Sequence, residues 1–164
     1  MRDLRARSYP GDMPYDITGW IETTYMTPDV RAEVFAQMGD EDACRWSATV
    51  CLDGLALMGD ASSDLLFGLV RQPSGNGLFV DRGLPPDVSL PVLRVYEEDQ
   101  RQPDGLFGYT YATLAEVQSV RWHEHGVALN ESVWWSHIVC LMDDLSEMDM
   151  FDADKVRIVV WASW

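Results

Sequence analysis

Positive charge is what this chain has least of. A single lysine, Lys155, completes a set of twelve bases that stand against 27 acids, for a formal charge of −15. A field of that sign repels DNA, RNA and anionic membrane surfaces, and a chain with one lysine does not offer the basic aromatic face of a nucleic-acid module. It would draw in basic partners; the bland alternative is that it serves solubility alone. Cysteine is also sparse. Cys44, Cys51 and Cys140 form no CxxC pair and leave one thiol unmatched, which excludes a disulfide framework and fits the cytoplasm. No apolar run is long enough to cross a bilayer. Arginines at positions 2, 5 and 7 are followed by Tyr9, Pro10, Gly11 and Asp12, where a signal peptide needs a long apolar segment. Residues 1–12 are therefore read as a flexible leader.

The familiar catalytic signatures are missing as well. No serine stands in a GxSxG elbow, SGNG at 74–77 lacks the lysine and hydroxyl of a Walker loop, and GxGxxG is absent. His123, Glu124 and His125 do not make the helical HExxH of metalloproteases, and in extended backbone the two rings would point to opposite faces. His137 sits beside an apolar stripe and reads as a hydrogen-bonded core-edge residue. Asp149, Asp152 and Asp154 lack the glycine and terminal glutamate of a calcium loop and read as a solvated turn.

What the chain does have is apolar residues, 47% of the sequence, and seven tryptophans. At 164 residues that is enough for one self-supporting domain, placed at 13–164. The organising stretch is 130–148. There Asn130 is the expected N-cap, and Trp134, Ile138, Leu141, Leu145 and Met148 recur at helical spacing as one stripe. That stripe needs a sheet to cover, including a closing strand at 155–163 in which Val156, Ile158 and Val160 alternate with Arg157 and Val159.

Further strands are expected near 15–25, 46–52 and 107–111. Thr27, Pro28 and Asp29 open a helix that Gly39 stops, with Val30, Val34, Phe35 and Met38 as its apolar face. Ser62 or Ser63 caps a brief helix running through Phe67, Leu69 and Val70 and weakened at Gly68 by about 1 kcal/mol. Arg71 to Asp87 form a long loop, and Ser89 with Pro91 starts a helix to about Asp99. Thr113 and Glu116 make a capping box. Trp134, Trp161 and Trp20 are assigned to the core, whereas Trp46, Trp122 and Trp135 are expected as an exposed stripe that could serve a partner or a homodimer. The sum is an α+β single domain: a small, mainly antiparallel sheet including the N- and C-terminal strands, with helices packed mainly on one face.

Several short blocks in order carry a resemblance. Asp16-Ile17 followed by Gly19-Trp20, Ile21 and Glu22, then DLLFGLVR at 64–71, DRGLPPDVS at 81–89, ATLAEV at 112–117 and VRIVVW at 156–161, resemble an uncharacterised family of phage and bacterial proteins. Its typical members open MGCDIH and carry an RGLPxDVS loop and a GHSHSW segment before a TLAEL helix. The resemblance implies a metal constellation of aspartate and histidines in those members. Here Asp16 matches the aspartate, Thr18 stands where the family has histidine, and Gly108 to Ala112 replace the histidine pair with Tyr109 and Tyr111. The expected metal and cofactor content of this chain is accordingly none. The alternative is that the family residues never bound metal and the tyrosines keep an aromatic wall.

Two functional readings follow. The first is a noncatalytic acidic protein that binds a basic protein partner, as an inhibitor or immunity factor in phage and host conflict. The second is a metal-dependent hydrolase or small-ligand-binding enzyme with a degenerate site, lying between strand one and the 71–87 loop. The residues assigned to binding are Asp16, Arg82, Tyr109, Tyr111, Trp122, His123 and His125.

Overall fold

The structure, a computed structural model, describes residues 16–40, 42–55, 57–69, 77–101, 106–148 and 151–163, with Ala43 and Met58 given by backbone alone. The leader at 1–12, Tyr15, Val70, residues 71–76 of the long loop and Asp149 lie outside the described residues.

The α+β expectation is borne out. Strands β1 (Asp16–Thr23), β2 (Ser47–Cys51), β4 (Leu106–Thr113) and β5 (Val156–Ser163) form an antiparallel sheet in the order β2-β1-β5-β4, and the two-residue β3 (Leu57–Met58) pairs with the start of β1. The last strand in sequence thus lies between two others. From Val156 to Ala162 every β5 residue is buried. Simple alternation would have given that strand one wet face, but both of its faces are covered.

Val156, Ile158, Val160 and Ala162 enter the main core with Ile17 and Ile21 of β1. Over them pack α2 (Ala61–Phe67), α4 (Leu114–Gln118) and α5 (Val133–Glu147), contributing Phe67, Leu114, Val117, Trp135, Ile138 and Met142. Val159 and Trp161 face the other way, where Val88 and, on α3 (Leu90–Asp99), Val92 cover them. Three helices therefore share one face, and α3 takes the second.

The stripe on α5 differs from the expected one. Ser132, not Asn130, caps the helix by accepting from Trp135 N, and Asn130 belongs to a 3-10 turn at Leu129–Glu131. Trp135, Ile138 and Met142 are buried, Leu141 and Leu145 only partly so, while Trp134 and Met148 are 43% and 59% exposed. Adjacent apolar pairs (Trp134-Trp135, Leu141-Met142) offer two faces about 100° apart, and contact with Phe67, 5.5 Å from Trp135 between ring centres, selects the second. The expected exposed stripe of Trp46, Trp122 and Trp135 is overturned with it, since Trp46 and Trp135 are buried and Trp122 packs partly against the main core.

The helix α1 (Pro28–Met38) has the expected ends: Thr27 accepts from Val30 N, and Gly39 closes it at φ +63°. Its apolar face is not buried. Val30, Phe35 and Met38 are exposed and no α1 side chain is buried. The cap of α2 also differs. Asp60 accepts from Ser62 N and Ser63 N, and Gly68 ends the helix instead of weakening it. At Gly68 φ is +61°, and a Cβ there would lie 2.4 Å from Val80 Cγ1, so only glycine lets the 77–80 turn close against this cap. The capping box of Thr113 and Glu116 forms as expected. Among the described residues no helix is long and apolar enough to cross a membrane.

Candidate functional site

The register of β1 against β5 sets Glu22 directly opposite Arg157, on the sheet face that α3 covers. Their side chains are 0% and 4% exposed, and Arg157 Nη2 lies 2.7 Å from Glu22 Oε2. Two buried charges cost far more than their attraction returns unless the remaining polar atoms are also satisfied. They are. Arg157 Nη1 donates to Asp87 Oδ1 at 2.8 Å and Nη2 to the Asp87 carbonyl at 3.3 Å, while Ser89 N donates to Glu22 Oε1 at 2.8 Å. Pro85 and Pro86 stiffen the approach to Asp87, and Ser89 with Pro91 turns the chain into α3.

Asp87 joins this pair to α1. Its Oδ2 accepts from Trp46 Nε1 at 3.1 Å and pairs with the Arg31 guanidinium, which also donates to Thr24 Oγ1 at 3.2 Å. The Arg157 guanidinium lies 4.0 Å from the centre of the Trp46 ring, and that of Arg31 5.6 Å from it. A chain of four charges, Glu22, Arg157, Asp87 and Arg31, is thus closed around one indole. Burial by itself would raise the Asp87 pKa. The Arg157 hydrogen bond and charge, then the Arg31 charge and the Trp46 N–H, outweigh it and hold the carboxyl below the usual aspartate range. Asp87 is therefore a fixed carboxylate, poorly suited to take or give a proton near neutral pH.

Two cavities flank the Arg31–Asp87 contact. One, of about 440 Å³, is bounded by Thr24, Met26, Trp46, Asp152, Lys155 and Arg157. The other, of about 530 Å³, lies between α1 and the 3-10 turn Asp42–Cys44, with Pro28, Ala32, Phe35, Cys44 and Pro86 as apolar walls. Arg45 also lines it, but its guanidinium pairs with Asp42 and donates to the Val88 carbonyl at 2.9 Å.

No family model, curated protein or solved structure matches this chain.

The residues chosen from the sequence do not gather in one place. Arg82 and Tyr111 do meet: the guanidinium lies 5.5 Å from the Tyr111 ring centre, donates to the Tyr111 carbonyl and pairs with Glu116 at 2.9 Å. Tyr111 also lies 5.9 Å from the Arg157 guanidinium, so it touches the network from the β4 side. Tyr109 stacks on Trp161 at 5.7 Å and meets Tyr96 edge-on at 4.9 Å. Burial raises its pKa, the Gln100 hydrogen bond works against that, and Tyr96 and Asp99 add to it. It serves the second core. Asp16 is exposed at the far end of β1, opposite Ser163. Trp122, His123 and His125 share a 3-10 turn (Trp122–His125) beyond α4, with both histidines exposed. Among the described residues no group of three or more His, Cys, Asp or Glu is placed to hold a metal ion.

Sequence reasoning missed Glu22, Arg31, Trp46, Asp87 and Arg157 as a set. One signal was available, since an arginine inside an otherwise apolar closing strand must find a buried carboxylate.

Proposed function

We infer that this protein is a noncatalytic binding domain that docks a basic protein partner, in the manner of an inhibitor or immunity factor. The observation that carries this reading is α1, an exposed helix whose Val30, Phe35 and Met38 meet solvent on a chain of charge −15. Apolar groups presented together within an acidic surface fit a basic partner that contributes both hydrophobic contact and charge. The ion network supports a scaffolding role beneath this helix: its carboxylates and guanidiniums are paired with one another, although the buried Arg31 Nε finds no hydrogen-bond partner, and Asp87 stays ionised. The test is affinity capture from native lysate at low and high salt. A discrete basic protein retained at low salt and released at high salt is the expected result, and the lack of any salt-sensitive partner would refute the reading.

A second reading, a small-ligand site with or without catalysis, draws on the cavity of about 440 Å³ against Trp46 and Arg157. A thermal-shift screen of metabolites, together with phosphomonoester and phosphodiester assays, tests it. A ligand whose stabilisation is lost in Trp46→Phe would move the function to that cavity.

A further inference from the structure

We propose that the groove between α1 and the Asp42–Cys44 turn seats one large apolar side chain from a lysine- or arginine-flanked segment of the partner, a deeper statement that rests on the binding reading above. The groove is about 530 Å³, within the range of about 300–1,000 Å³ typical of ligand sites. Its walls are apolar: Pro28, Ala32 and Phe35 on α1, with Cys44 and Pro86 opposite. Phe35 is 45% exposed at the lip, so a seated side chain would gain a ring to pack against and would cover one now in water. The two guanidiniums at the groove, Arg31 and Arg45, are already engaged by Asp87 and Asp42. They offer little to an anionic guest.

The rim sets the sign of the guest's flanks. At about 100° per residue, Asp29 lies about 60° and Glu33 about 100° beyond Ala32 on the solvent side of the helix, and both are exposed. Asp42, across the groove, is 61% exposed and already paired with Arg45 at 3.0 Å. The exposed acids of α1 beside an apolar floor, on a chain of charge −15, are complementary to cations flanking a seated apolar residue. A second copy of this chain would bring the same lips and another −15, so like charge opposes self-docking.

The experiment titrates the isotope-labelled full chain with a synthetic peptide carrying one phenylalanine between lysines, and with its central-serine counterpart, at low and high salt. Amide shifts are expected at residues 29–35, 44–45 and 87. Serine in the peptide, Ala32→Trp filling the groove, or Phe35→Ser removing its lip should each weaken binding by about tenfold, the value of one buried aromatic side chain. Equal binding of both peptides, unaffected by the two variants, overturns the groove and leaves a basic partner held by charge alone. No binding of either peptide at low salt overturns the groove and the basic-partner reading together. Sedimentation showing a dimer that Phe35→Ser dissolves would assign the groove to a second copy and overturn the commitment to a basic segment. Both substitutions are at exposed positions, and unchanged thermal unfolding will show that the variants fold.

Discussion

Arg157 is 3% exposed in the middle of the sheet, and its charge is tolerated there only because Glu22 and Asp87 reach it. Replacing it by alanine leaves Glu22 buried without a counter-ion. Arg157→Ala should destabilise the fold by about 3–5 kcal/mol, measured by urea unfolding. Asp87 adds a pH dependence. Its carboxyl titrates lower in the folded state than the unfolded value of about 3.9, so its contribution is complete above that value and is lost as pH falls through the folded one. Melting temperature followed against pH should fall on acidification in the native chain, and Asp87→Asn, already destabilised near neutrality, should show a shallower acid limb. The sequence marked Arg157 as facing away from Val156 and Ile158. That Glu22 is the residue opposite depends on strand register across 135 positions, which no local pattern records.

Elements with their own end signals were legible, and their buried faces less so. Thr27 with Gly39, and Thr113 with Glu116, were readable because caps are made by residues next to the turns they close. The α5 face was not, because Trp134 and Trp135 are neighbours and only Phe67 and the sheet distinguish them. Trp135→Ala should cost about 3–5 kcal/mol through the cavity it leaves, whereas Trp134→Ala should stay within about 0.5 kcal/mol, both by chemical denaturation. On α1 the local signals were right and the inferred burial wrong. With no buried side chain, the helix is tied to the body by Arg31 through Asp87, Thr24 and the Trp46 face. Arg31→Ala should speed amide hydrogen exchange across 29–38 while leaving β5 protected.

For the molecule as a whole, a charge of −15 is a repulsive field that salt screens. The melting temperature should therefore rise between low and physiological ionic strength, by differential scanning calorimetry, because the buried Glu22–Arg157 pair is little screened while the surface acids are. Charge, the α+β class and the positions of the strands were set by composition and by periods of two and 3.6, properties that neighbouring residues fix among themselves. The placement of β5 between β1 and β4, the closing of four charges around Trp46 and the choice of which apolar helix face stays wet were decided by the tertiary structure. Each of these depends on segments far apart in the chain meeting in one register, and burial belongs to the meeting, not to either segment alone.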